Sequence, residues 1–72
     1  MKRIVKVGPR RAPDGYFIVV APTEAKLYLN DFSNIEVEEA GTEIIIKSRS
    51  RSTLKKVILK LKSKGFYIEG YL

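Results

Sequence analysis

Lysine and arginine residues crowd one short segment of the chain. Seven of them lie between positions 49 and 65, and no Asp or Glu occurs between Glu43 and Glu69. Fixed positive charges at this density can bind anions, above all the phosphates of a polyanion. The candidate contacts in and beside the segment are Lys47, Arg49, Arg51, Lys55, Lys56, Lys60 and Lys64.

A second basic segment lies near the start of the chain. The net charge of +6 divides into +5 over 1–13, −6 over 14–46 and +7 over 47–72. The acidic middle could neutralise the basic ends within the fold, with Glu side chains of 36–43 pairing with the lysines. Alternatively, both basic segments converge on one polyanion. In that case the loop "GPRRAPDG" presents Arg10 and Arg11 at the tip of a hairpin.

Two tyrosines near the other end of the chain offer a different chemistry. In "FYIEGYL", Phe66 and Ile68 alternate with Tyr67 and Tyr71, so the tyrosines should face away from the core. Exposed aromatic rings on an open sheet can stack the bases of a single-stranded nucleic acid. The alternative is that they pack on a loop, on Tyr28 or on a second subunit.

The composition argues against most catalytic chemistry. The chain contains no Cys and no His, so it predicts no disulfide, no zinc site and no histidine base. It also lacks a Gly-rich phosphate loop, and we expect no enzyme activity, no metal and no cofactor. No apolar run approaches the roughly 18 residues of a membrane span, which favours a cytoplasmic protein. The absence of Gln among many charged residues hints at a thermophilic source.

A chain of 72 residues is expected to form a single domain, 1–72. The runs "KRIVKV" and "YFIVVA" read as strands of a hairpin, and "NIEVEEAGTEIIIKS" reads as a second hairpin around Gly41. A helix is predicted over about 51–64, followed by a final strand. In the segment 23–32 a strand and a short helix compete, and we favour the helix.

The predicted helix is amphipathic. Its apolar residues Leu54, Val57, Ile58 and Leu61 follow the i, i+3, i+4, i+7 spacing of a buried stripe. Ser50 or Ser52 can cap its start and Gly65 its end. Lys56, Lys60 and Lys64 should form an exposed row, and Leu59 lies on the same side.

These elements predict the α+β class. The expected architecture is a small two-layer domain, a mostly antiparallel sheet with one long C-terminal helix on one face. If 23–32 is helical, residues 16–72 follow a ferredoxin-like β-α-β-β-α-β order, with an extra N-terminal strand before it.

One stretch resembles a known family. Residues 43–58, "EIIIKSRSRSTLKKVI", are similar to the strand–basic turn–helix segment of the Alba family of archaeal nucleic-acid-binding proteins. The run "FIVVAP" falls about where that family has its first strand. The chain departs from the family pattern at "APTEAK", which lacks paired lysines, and at "NIEVEEAG", which reads as a strand. The resemblance implies nucleic-acid binding and adds DNA as an alternative ligand.

Together the patterns predict a small basic nucleic-acid-binding module that prefers RNA. A Lys-rich helix and an Arg loop would hold phosphates without reading sequence, as in a ribonucleoprotein such as an archaeal ribosome. A protein-interaction subunit of a larger complex is the main alternative. There Tyr67, Tyr71 and Leu59 would form the interface, and the lysines would maintain solubility. The sequence leaves the oligomeric state open.

Overall fold

The computed structural model describes residues 3–11 and 14–70, with only the backbone of 9–11. Five strands and one α-helix form the two-layer α+β domain that the sequence predicts. A 3-10 helix covers Thr23–Tyr28, within the segment where a short helix was favoured. The main elements are β1 (Ile4–Arg11), β2 (Phe17–Pro22), β3 (Glu36–Ala40), β4 (Glu43–Ser48), α1 (Arg51–Ser63) and β5 (Tyr67–Gly70).

The sheet has the strand order β3-β4-β2-β1-β5. All neighbouring strands are antiparallel except β1 and β5, which are parallel. Helix α1 connects β4 to β5, so the chain crosses over β2 and β1 on one face of the sheet. Both predicted hairpins are present, and the β3–β4 turn has Gly41 at a φ of +66°, a left-handed conformation that suits glycine.

The ferredoxin-like arrangement remains unconfirmed. After β1, the elements do follow the predicted order of strand, short helix, two strands, helix and strand. However, the first helical element is a single 3-10 segment, and β1 lies between β2 and β5 in the sheet. Among the described residues, one α-helix therefore covers the sheet, and the 3-10 helix packs beside it through buried Ala25.

The core lies between α1 and the sheet. Leu54, Val57 and Leu61 of the predicted stripe are fully buried, and Ile58 packs against them at the edge. The strands contribute alternate residues, as expected of a sheet with one covered face. The buried apolar residues of the strands are Val5, Val7, Val19, Ala21, Ile44 and Ile46.

Capping interactions fix both ends of α1. The Oγ of Ser50 accepts a hydrogen bond from the Thr53 amide at 3.3 Å, the N-cap interaction that the sequence predicts. At the other end, Gly65 has a φ of +94°, and the Phe66 amide donates to the Leu61 carbonyl at 3.1 Å. This is a Schellman motif, and it turns the chain directly into β5.

Strand β1 is longer than predicted. The sequence indicates a loop from Gly8 to Gly15, but the strand continues to Arg11, which pairs with Phe17. Among the described residues, β5 pairs with β1 as far as Val7. Beyond Val7, β1 therefore has a neighbouring strand on one side, which is β2. The register with β2 also shifts between Val7 and Arg11. A proline, which lacks an amide donor, is tolerated at such an irregular edge.

Candidate nucleic-acid interface

The outward face of α1 is basic because the apolar residues of the helix face inward and pack in the core. The charged residues therefore lie on the outer side. At about 100° per residue, the cations divide into two rows on either side of an uncharged crest. The crest consists of Ser52, Leu59 and Ser63. One flank carries Arg51, Lys55 and Lys62, and the other carries Lys56, Lys60 and Lys64.

The flank with Lys56, Lys60 and Lys64 is the row that the sequence singled out, and it is partly neutralised. Lys60 Nζ donates to the carboxylate of Asp31 and lies 5.8 Å from the centre of the Phe32 ring. This hydrogen bond, with the attraction of the ammonium charge, holds the pKa of Asp31 below its ordinary value. Lys64 Nζ lies 5.8 Å from the Tyr28 ring centre. Of the row predicted to be exposed, Lys56 and Lys64 are exposed, whereas Lys60 is half-buried.

Three lysines of α1 carry the least compensated charge. Lys55, Lys56 and Lys62 are exposed, and the described part of the chain provides no ion pair for any of them. Lys62 was not among the predicted contacts, although its spacing of seven from Lys55 places both on the same flank. That spacing was the signal available in the sequence.

A buried serine fixes the turn that leads into α1. The Oγ of Ser48 donates to the Asn34 carbonyl at 2.7 Å and accepts from the Ser50 amide at 3.0 Å. Since Ser48 is 2% exposed, this turn is held from inside the domain. The serines of "SRSRS" thus shape the turn, and the arginines between them, Arg49 and Arg51, are exposed.

Arg49 packs on an aromatic ring. Its guanidinium carbon lies 5.0 Å from the centre of the Tyr16 ring. The Tyr16 hydroxyl donates to Glu36 at 2.6 Å, and this hydrogen bond raises the pKa of Tyr16 above its ordinary value. The contact holds Arg49 beside the first turn of α1, towards the hairpin of β1 and β2.

The sheet register brings the two basic segments to the same end of the molecule. Arg11 pairs with Phe17, and Phe17 pairs with Ser48, so the three backbones form one row across β1, β2 and β4. Neighbouring strands are about 4.8 Å apart, which separates the Arg11 and Ser48 backbones by about 10 Å. The side chains of Arg10 and Arg11 lie outside the described part of the structure.

The acidic residues pair elsewhere. Lys47 donates to Glu38 at 2.9 Å, Lys26 to Glu39 at 3.2 Å, and Arg3 to Glu24 at 3.0 Å. Among the described residues, the ion pair of Lys60 with Asp31 is the single one made by an α1 lysine. In the described part of the chain, the acidic hairpin therefore does not pair with the α1 lysines, the alternative that the sequence left open.

Lys47 belongs to a different surface from the α1 lysines. Buried Ile46 and Ser48 alternate with it on β4, so it projects from the sheet face opposite α1, which we call the open face. Its hydrogen bond with Glu38 raises the pKa of Lys47. The predicted contacts thus lie on two sides of the domain.

Tyr67 also lies away from the basic helix. It is 67% exposed on edge strand β5, and its register partner Ile4 alternates with buried Val5. With Arg3, Ile4 and Glu69 it lines an open hollow at that edge. The tyrosine therefore does not join the outer face of α1. Tyr71, its predicted companion, lies outside the described residues.

No protein-family model, curated protein or solved structure matches the chain. The segment that resembles the Alba family forms β4, the following turn and the first part of α1. Upstream, where that family has a long helix, the chain forms the 3-10 helix and β3. Within residues 3–11 and 14–70, no cluster of acidic residues could hold a metal ion, and no helix is long and apolar enough to span a membrane.

Proposed function

We propose that this protein binds nucleic acid, RNA in preference to DNA, through the outer face of α1 and the arginines beside its first turn. The observation that carries the proposal is the exposure of Lys55, Lys56 and Lys62 on a helix without a single acidic residue. Each neutralised phosphate would release condensed counterions, and several such contacts would dominate the affinity.

The energetics of the isolated domain favour this proposal. Like charges four residues apart on a helix repel by a few tenths of a kcal/mol. Arg51 occupies the first turn, where the helix dipole disfavours a cation. A line of bound phosphates would add attractive interactions that offset both.

The proposed binding does not depend on nucleotide sequence. Lysines on a helix surface position a phosphate backbone but do not distinguish bases by themselves. We therefore assign the protein the role of a non-catalytic component of a cytoplasmic ribonucleoprotein. A thermophilic archaeal source would agree with the composition and with the resemblance of residues 43–58.

The experiment compares two matched double variants in a titration with labelled RNA at two salt concentrations. Lys55→Gln with Lys62→Gln removes two charges from one flank of α1. We expect weaker binding, and the slope of log affinity against log salt should flatten by about 1.4 on a single strand or about 1.8 on a duplex. Thermal melting should stay equal or rise, since repulsion is relieved.

The control is Lys6→Gln with Lys26→Gln. Both residues are exposed and lie off the α1 face, on β1 and the 3-10 helix, and the change in net charge is identical. The control should lose much less affinity than the flank variant. Equal affinity and equal salt slope in the two variants would refute the proposal.

A second candidate function is protein interaction through the open face. No helix in the described part of the chain covers this face, and it presents the partly exposed apolar residues Ile18, Val20 and Ile45 at its centre. Tyr67 lies at its edge. In that case the natively purified protein would carry a protein partner and no RNA.

A further inference from the structure

The geometry of the basic face points to a particular form of nucleic acid. Resting on the function proposed above, we propose that the α1 face binds double-stranded RNA, lying across the shallow minor groove of the A-form helix. Three features favour this form of nucleic acid: the crest between the two charged flanks, the positions of the aromatic rings and the segment beside α1.

The two flanks suit two lines of phosphates rather than one. Lys55 and Lys62 point to one side of the crest and Lys56 to the other, and a helix with its side chains is about 10–12 Å across. A single strand offers one backbone, which could engage one flank at a time. A duplex groove is bordered by two backbones, so both flanks could be occupied together.

Within residues 3–11 and 14–70, the basic face provides no free aromatic platform for unpaired bases. Recognition of single strands relies on exposed rings over which bases stack. Here Arg49 lies over the Tyr16 ring, and Lys60 lies over the Phe32 ring. Tyr28 packs edge-on against Phe66, at 6.0 Å between ring centres. The rings near α1 are thus already engaged by side chains of the domain itself.

The shape of the surface separates the two kinds of duplex. The major groove of B-form DNA is about 8.5 Å deep, and a reading helix must enter it. Helix α1 is packed on the sheet, and the Asp31–Phe32 segment lies against its Lys60 flank. That segment broadens the surface around α1 and would hinder insertion into a deep groove. The minor groove of A-form RNA is wide and shallow and accepts a broad surface.

The crest has the chemistry that such a groove requires. An A-form minor groove displays ribose 2′-hydroxyls, which distinguish RNA from DNA. The Ser63 hydroxyl donates its proton to the Lys60 carbonyl at 2.6 Å, which leaves its oxygen able to accept from a 2′-hydroxyl. Leu59, 65% exposed between Ser52 and Ser63, would contact the sugar edges of the groove.

The first test compares four ligands of the same sequence: an RNA duplex, a DNA duplex and each single RNA strand. The RNA duplex should bind at least about tenfold more tightly than the others, which corresponds to about 1.4 kcal/mol. Equal or tighter binding of a single strand, or of the DNA duplex, would overturn the inference. If the flank variant still weakened every ligand, the general proposal of nucleic-acid binding would survive that result.

The second test places a carboxylate on the crest. Leu59→Glu should lower affinity for the RNA duplex by about tenfold or more. Leu27→Glu is the matched control, because Leu27 is 74% exposed on the 3-10 helix and the charge change is the same. Glu is as good a helix former as Leu, and at position 59 it has Lys55 four residues before it. Stability should therefore be retained, and equal losses of affinity in the two variants would exclude the crest from the interface.

Discussion

The two faces of this domain differ in how their charged side chains are paired. On the open face, Lys47 of β4 is paired with Glu38 of the neighbouring strand β3. On the outer face of α1, Lys55, Lys56 and Lys62 have no such partner among the described residues. The sheet thus mixes cations and anions, whereas the helix presents cations alone.

Topology explains this difference. A residue on a sheet has cross-strand neighbours from distant parts of the chain, so the acidic hairpin can supply partners for basic strands. A residue on the crest of a helix has neighbours at i±3 and i±4, which come from the same segment. The composition of 51–63 therefore decides the charge of that face. Lys60 is an exception, because it forms an ion pair with Asp31, which lies outside the helix.

The largest effect should come from detaching the helix from the sheet. Leu61 is fully buried, and Leu61→Ala should cost about 2–5 kcal/mol of unfolding free energy through lost burial and a cavity. Leu59→Ala on the outer face should change stability by less than about 0.5 kcal/mol. Urea denaturation of both variants measures the contrast between the inner and outer faces, and similar midpoints would contradict the packing of α1.

A smaller effect is expected at the ion pair between Lys60 of α1 and Asp31. Asp31→Asn would release Lys60 and should raise affinity for RNA a few-fold, which titration would detect. The lowered pKa of Asp31 means that its stabilisation is present above the ordinary value of about 3.9 and is lost as pH falls through the folded pKa.

The melting temperatures of Asp31→Asn and the unchanged protein should accordingly differ slightly at neutral pH and converge in strong acid. A difference that persisted at low pH, or an unchanged affinity for RNA, would show that the ion pair does not restrain Lys60.

The smallest effect is expected at the edge of the open face. Tyr67→Ala removes an exposed ring that lies away from α1, so the RNA affinity and its salt dependence should be unchanged. Titration with the RNA duplex and with a single strand checks this. A selective loss of single-strand binding would show that the open face stacks bases. RNA binding would then not be confined to the outer face of α1.

Local patterns were sufficient to predict several elements. The i, i+3, i+4, i+7 spacing of Leu54, Val57, Ile58 and Leu61 identified both α1 and its buried stripe. The β3–β4 hairpin was equally visible because a two-residue turn containing Gly41 joins the alternating apolar and acidic residues of 35–38 to the β-branched run 44–46. These features depend on residues that are close in sequence, so they can be predicted from a single sequence.

Long-range features could not be predicted in the same way. Nothing local indicates that β5 lies parallel to β1, or that β1 continues past Pro9 at an irregular edge. The partner of Lys60 lies far upstream, in a segment whose path follows from the packing of the 3-10 helix and Leu29. Basic residues were found from composition, but the pairing of Lys60 with Asp31, and the lack of an ion pair at Lys55, Lys56 and Lys62 among the described residues, required the fold.

The parallel pairing of β1 with β5 bears on how the domain assembles. The β3–β4 hairpin closes over two residues and can form early, whereas joining Ile4 to Tyr67 closes a loop that spans most of the chain. Such high contact order slows folding. Gly70 in β5 approaches β1 so closely that a Cβ there would lie 2.3 Å from the Val7 carbonyl oxygen. We therefore expect β5 to join the sheet late in folding. Helix α1 would then become fixed on the sheet only at that final step.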